Sequence, residues 1–103
     1  EIAYKNMNTE LIEAYTKIFS ALSHPLRLSI ALGLLSKGRC NVNTMSERLN
    51  ISQSLVSQHV RILKDAGLIK GQREGTIIWY SISSDEARRL LSCLNLGCDC
   101  EKN

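Results

Sequence analysis

Apolar residues along this chain recur first at helical spacing, then at strand spacing, then at helical spacing again. Leu11, Ile12, Tyr15, Ile18, Phe19 and Leu22 fall three or four positions apart, which predicts a helix over 8–22 with one apolar face. Ser23 is placed to cap a second helix, with Pro25 in the first turn, where a missing N–H costs nothing. That helix carries Leu26, Leu28, Ile30, Ala31, Leu32, Leu34 and Leu35, apolar nearly all round, and is expected at the centre of the core until Lys37-Gly38 ends it. Thr44-Met45-Ser46-Glu47 reads as a capping box opening a short helix to about Leu49. After a tight turn at Asn50-Ile51, Ser52 caps a further helix with Leu55, Val56, Val60 and Leu63 inward, closed by Ala66-Gly67.

The character then changes. Segments 68–72 and 76–82 are rich in β-branched and aromatic residues and flank Arg73-Glu74-Gly75, so a two-stranded hairpin with a charged tip is expected. Ser83 with Glu86 forms another capping box, opening a last helix with Ala87, Leu90, Leu91 and Leu94 inward and Gly97 as its stop. The expected fold is mainly α with a small β-hairpin: a winged helix-turn-helix of about five helices, in one domain spanning 1–103. The helix-turn-helix would lie at about 44–66, the wing at about 68–82, and the final helix with a cysteine-rich tail at about 84–103.

Composition narrows this little. The 103 residues are 44% hydrophobic and 22% charged, as in an ordinary globular domain. No run approaches the roughly 18–20 apolar residues of a bilayer span, so no membrane partner is expected. The N-terminal residues Glu1-Ile2-Ala3-Tyr4-Lys5 lack the pattern of a secretion signal, which makes the cytoplasm the expected location. The net charge of +3 permits a polyanionic partner without demanding one. Neither a Ser/His/Asp set in sensible order, nor paired catalytic carboxylates, nor a phosphate-binding glycine loop is present, so catalysis is not expected.

Charge placement says more. With Val56, Val60 and Leu63 inward, the helix after Ser52 turns Gln53, Ser54, Ser57, Gln58, Arg61 and Lys64 outward, and no carboxylate interrupts 51–64. In a helix-turn-helix the N-terminal part of the second helix enters the major groove, where Gln and Ser reach base edges. The helix dipole and free N–H groups at that end favour a phosphate. Arg73 at the hairpin tip is placed for a neighbouring groove or backbone. His59 lies at the edge of the buried face and suits a phosphate contact or a structural hydrogen bond, while His24 reads as structural. Duplex DNA is the expected partner, with a winged module that binds protein as the alternative.

The strings Ala21-Leu22-Ser23-His24-Pro25-Leu26-Arg27-Leu28 and Ile51-Ser52-Gln53-Ser54-Leu55-Val56-Ser57-Gln58-His59-Val60-Arg61-Ile62-Leu63, with Trp79-Tyr80-Ser81-Ile82, closely resemble the ArsR/SmtB family from about 16 to 91. The resemblance implies a homodimer paired through its first and last helices on an imperfect palindrome of operator DNA. It also implies repression relieved by a metal, a metalloid or a thiol modification. The departures are specific. Asn41 and Asn43 stand where many members carry metal-binding cysteines, and Cys40 stands where an apolar residue is usual. The last helix has no His for a zinc or nickel site, and Ser36 stands roughly where persulfide sensors carry a cysteine.

The remaining chemistry is a cysteine cluster. Of four cysteines, Cys93, Cys98 and Cys100 crowd the C-terminal end. Without a secretion signal they do not suggest a disulfide framework. Thiolates suit soft ions, and three without a fourth ligand fit trivalent arsenic or antimony better than tetrahedral zinc. Cys40 reads as a small buried hydrophobe and only secondarily as a ligand. A repressor released by As(III), Sb(III) or another soft metal, with no obligatory cofactor, is therefore the leading expectation. Redox or persulfide sensing through the same thiols, and a tail with no specific ligand, stay open.

Overall fold

Each helix begins where a polar side chain takes over an unpaired backbone N–H, and these caps set where the helices start. The computed structural model describes residues 7–94. Helix α1, Thr9–Leu22, starts at Asn8, whose Oδ1 accepts from the Leu11 N–H at 3.0 Å. Only part of its apolar stripe is used within the chain: Ile18, Ala21 and Leu22 are buried, while Leu11, Ile12 and Phe19 stay exposed. Helix α2, Pro25–Lys37, is capped by His24 rather than the expected Ser23: His24 Nδ1 accepts from the Leu26 N–H at 3.1 Å. Ser23 instead closes α1, its hydroxyl donating to the Ser20 carbonyl at 2.7 Å, so its side chain is not free to cap α2. As expected, α2 is central, with Ile30, Ala31 and Leu34 buried.

Helix α3, Val42–Leu49, also begins earlier than the capping box predicts. Asn41 is the cap, accepting from the Thr44 N–H at 2.8 Å, which puts Thr44 inside the first turn. The left-handed Asn50 (φ 57°) ends α3, and Ser46 Oγ donates to the Ile51 carbonyl across the turn. Helix α4, Gln53–Asp65, is capped by Ser52 as expected, its Oγ accepting from the Leu55 N–H at 3.1 Å. Val56, His59, Val60 and Leu63 are its buried face, and Leu55 is half-buried.

Strands β1, Ile69–Glu74, and β2, Ile77–Ile82, pair antiparallel from Ile69 opposite Ile82 to Glu74 opposite Ile77. Arg73 and Glu74 thus belong to β1, and the tip is Gly75-Thr76, shorter than the expected one. Gly75 takes the positive φ (67°) that a tight hairpin connection needs. Cys40 adds a one-residue extension on the other side of β2: its N–H donates to the Tyr80 carbonyl at 3.0 Å, and the Tyr80 N–H donates back at 2.8 Å. Helix α5, Asp85–Leu94, is opened by Ser84, one residue after the expected Ser83. Ser84 Oγ accepts from the Ala87 N–H at 3.1 Å, whereas Ser83 Oγ donates to the Gly67 carbonyl at 3.2 Å. Ala87 and Leu91 point inward as expected and Leu90 is half-buried, but Leu94 is exposed. Gly97 lies outside the described residues.

The helices and the root of the hairpin share one core, in which Leu34, Val56, Leu63, Leu68 and Leu91 are fully enclosed. The arrangement is a helix-turn-helix followed by a wing. Among the described residues no single helix is long and apolar enough to cross a membrane.

Among the described residues, one polar side chain is buried beside that core. His59 is 8% exposed, its ring centroid lies 4.5 Å from that of His24, and Arg27 Nη1 donates toward its Nδ1 at 3.4 Å. Arg27 is itself anchored by Nε, which donates to the Ala21 carbonyl at 2.6 Å. Burial first, then the nearby His24 and Arg27 charges, pushes the His59 pKa below its ordinary 6.5. The unfolded chain therefore binds the proton more readily. The resulting stability is complete above pH 6.5 and falls as pH drops from 6.5 to the lowered folded value. Urea unfolding at stepped pH should show this decline in the wild type and a flatter profile across the same interval in His59→Gln.

Candidate nucleic-acid interface

The buried stripe of α4 decides what its other faces show. With Val56, Val60 and Leu63 sunk in the core, Gln53, Ser54, Ser57, Gln58, Arg61 and Lys64 are all exposed along the opposite side. These are the six outward positions expected from periodicity. His59 is not one of them: it is turned inward against Arg27 and cannot meet a phosphate without leaving the core, which corrects its place among the DNA-contacting residues.

Within the exposed row the chemistry is graded along the helix. The N-terminal end offers amide and hydroxyl groups beside the positive end of the dipole, and the C-terminal half offers the two cations. Arg61 Nε lies 3.9 Å from the Asp65 carboxylate, with both side chains largely in solvent. Such a pair is worth little, so the guanidinium can exchange Asp65 for a phosphate at small cost.

Two features of this surface escaped sequence reasoning. Gln53 Nε2 donates to Asn43 Oδ1 of α3 at 2.8 Å, which holds the first outward side chain of α4 in one orientation. Gln53, Ser57 and Asn43 line a groove of about 470 Å³ with Thr76, Ile77 and Tyr80 of the hairpin, so helix and wing face a common space. The second feature is a brace on the wing. Arg39 reaches Glu74 at 3.1 Å and stacks over the Trp79 ring at 4.1 Å. One side chain thus grips β1 and β2 together, just before the Cys40–Tyr80 bridge. Local patterning could not reveal these contacts, because the partners are far apart in sequence; the only hint was an arginine and a tryptophan with no assigned role. Arg73 is exposed beside the tip, with Nη1 3.5 Å from the Gly75 carbonyl.

The cysteines divide. Cys93 is exposed on the last turn of α5. Cys98 and Cys100 lie outside the described residues. Cys40 is half-buried against the core, its thiol 3.6 Å from the Asn41 carbonyl, as suits a small apolar residue. Among the described residues no group of three or more His, Cys, Asp or Glu side chains could hold a metal ion.

Comparison with known proteins agrees with this arrangement. Residues 24–70, which contain α2 through α4, match the family described as "Bacterial regulatory protein, arsR family". The HTH-type transcriptional repressor SmtB of Mycobacterium tuberculosis (strain ATCC 25618 / H37Rv) is 38% identical over 74 residues, 72% of this chain and 54% of that protein. The chain thus spans about half the length of that relative. The arsenical resistance operon repressor of Bacillus subtilis (strain 168) is 36% identical over 84 residues, 82% of this chain and 80% of that one. Among solved structures, reduced HlyU from Vibrio cholerae N16961 superposes with a TM-score of 0.77 at 29% identity, covering 84% of this chain and 90% of that chain. The repressor PagR of Bacillus anthracis gives 0.78 at 28% identity, covering 85% and 100%. With a matching helix-turn-helix and 36% identity over 84 residues, 80% of the arsenical repressor, the chain belongs to the arsR family of bacterial regulatory proteins.

Proposed function

We propose that the chain is a cytoplasmic transcriptional repressor that binds operator DNA as a homodimer and is released by a thiol-reactive inducer, foremost trivalent arsenic or antimony. The observation that carries the DNA half is the uninterrupted exposed row from Gln53 to Lys64 beside the wing. Gln53 and Ser57 supply base-edge donors and acceptors, while Arg61, Lys64 and Arg73 supply phosphate contacts.

Dimerisation is supported by an unpaired apolar surface. Leu11, Ile12 and Phe19 of α1 are exposed, Phe19 at 57%, and Leu94 at the end of α5 is exposed as well. Burying such a surface against its own copy gains about 25 cal/mol per Å² of apolar area removed from water, before the entropic cost of association is subtracted. One similar solved structure is described as the homodimeric winged helix-turn-helix domain of a possible ArsR-family regulator from Mycobacterium bovis, at 27% identity.

The inducer half rests on the spacing of Cys93, Cys98 and Cys100 and on the exposure of Cys93. Arsenious acid would exchange its three hydroxyls for the sulfurs of three thiols, each thiol proton leaving with a hydroxyl as water, with no change of oxidation state. Relatives bear names that fit: the B. subtilis arsenical repressor, and a cadmium resistance regulatory protein, a CadC homologue, of Staphylococcus aureus that is 32% identical over 75 residues. A ligand preferring a dimer geometry unsuited to the operator lowers DNA affinity by that preference, typically about 1–3 kcal/mol. Sensing of persulfides or oxidants by the same thiols is the second reading. One relative, HlyU of Vibrio cholerae, 32% identical over 78 residues, is named an activator; a reporter assay with this chain should show repression instead.

Titration of fluorescent duplex at several salt concentrations should show log affinity falling with log salt. Arg61→Ala and Lys64→Ala should each reduce that slope by about 1, while Gln53→Ala should cost about 1–3 kcal/mol on the preferred sequence and relax base preference near its contact. An unchanged slope in both cationic variants would remove the phosphate role. In light scattering, Phe19→Glu should shift the protein from dimer to monomer and weaken duplex binding with it. A dimer that survives this change would place the interface elsewhere. Arsenite titration followed by thiol–metalloid absorbance should saturate near one arsenic per subunit and release the duplex. The triple Cys93→Ser, Cys98→Ser, Cys100→Ser variant should do neither, and if it still responds, the inducer site is not this cluster.

A further inference from the structure

A cavity of about 120 Å³ lies between α2 and α3, and neither the DNA-facing row of α4 nor Cys93 contributes to its lining. Its buried lining is apolar, from Ile30 and Leu34 of α2 and Met45 of α3, with half-buried Leu49 beside them. Gly33, Lys37 and Arg48 line it from the exposed side. Apolar cavities of about 150 Å³ hold a benzene ring, so this one suits a six-carbon body or slightly less.

Two features distinguish the cavity from a packing defect. Gly33 sits in the interior of α2, where glycine costs stability relative to alanine. Its φ is not positive, and a Cβ built there meets no atom within 4 Å, so neither strain nor close packing within the chain calls for glycine. What the missing side chain does is leave the cavity open. The second feature is charge: Lys37 and Arg48 flank the opening, and among the described residues neither is paired with a carboxylate.

We propose that this cavity is a binding site for a small carboxylate with a compact apolar body, the ring or chain seated on Ile30, Leu34 and Met45 and the carboxylate held by Lys37 and Arg48. A guanidinium and an ammonium together offer fork and point-charge donors to one anionic head. The site is also placed to report its occupancy. Its walls include Cys40, whose backbone pairs with Tyr80 of the wing, and α3, whose Asn43 holds Gln53. An occupant that fits better at one spacing of α2 from α3 shifts both DNA-facing parts by its difference in affinity. This last step rests on the DNA-binding reading, whereas the site itself does not.

The chain has two methionines, and only Met45 lines the cavity. With methyl-labelled methionine, titration with benzoate should give a saturable NMR shift at Met45 and little change at Met7. Benzyl alcohol should bind about tenfold more weakly. Gly33→Leu fills the opening while improving the helix, so it should fold at least as stably and lose the Met45 response. The Lys37→Gln, Arg48→Gln pair should weaken benzoate about tenfold and leave benzyl alcohol unchanged. No Met45 shift, equal shifts at both methionines, equal binding of the alcohol, or an unaltered response in Gly33→Leu each overturns the site. Benzoate should also change the duplex affinity of the wild type and not that of Gly33→Leu. Binding with unchanged duplex affinity overturns the coupling alone, and failure of the unliganded protein to bind duplex at all counts against the DNA reading instead.

Discussion

The stripe Val56, Val60 and Leu63 fixes the rotation of α4 about its own axis, and the orientation of the DNA-facing surface follows from that one packing constraint. These residues share a core with Ala31 and Leu34 of α2 and Leu68 and Ile82 at the hairpin root. A helix turned by one residue, about 100°, would sink Gln53 and Ser57 and lift valines into solvent. The apolar contacts are thus what give the polar side chains a direction. Ser52 fixes where the helix starts, so depth along the axis and rotation about it are set by separate groups.

Arg27, His24 and His59 add a polar tie where an apolar core would suffice. The guanidinium bonds to the end of α1 through the Ala21 carbonyl and reaches α4 through His59, so the corner between α1 and α2 is latched to the helix that faces DNA. A neutral imidazole can accept that bond and a protonated one cannot, so its protonation state decides whether the latch holds. The apolar surface of α1 lies on the element latched in this way. Whatever docks on α1 is therefore mechanically connected to α4 through a few side chains rather than through the loose length of a loop.

Element order, the inward stripe of α4 and the Ser52 cap were legible because each is a local pattern: a period, or a side chain meeting an N–H three residues on. The other caps were misplaced by between one and three residues for a consistent reason. At Ser23-His24, Asn41 to Thr44, and Ser83-Ser84, more than one residue of the right type is available, and the choice depends on where the backbone leaves the preceding element. Ser23 is held by Ser20, and Ser83 by Gly67. His59 was ambiguous because it borders the stripe, and its partner Arg27 is remote in sequence. The Arg39 brace, the Asn43–Gln53 bond and the α2–α3 cavity are all non-local, and no periodicity encodes them.

The bridge between Cys40 and Tyr80 bears on how the wing avoids sticking to other chains. Residues 76–82, Thr-Ile-Ile-Trp-Tyr-Ser-Ile, are uncharged, free of proline and rich in β-formers, the composition of segments that stack into cross-β aggregates. Here that stretch has β1 on one side and Cys40 against its middle on the other. The opposite edge is β1, which carries Lys70, Arg73 and Glu74, and charged residues on an open edge discourage pairing with a foreign strand. The one-residue extension thus serves as a guard rail: if the segment around Cys40 detaches, this stretch loses the one bridge that interrupts its outer edge while the rest of the domain is still folded.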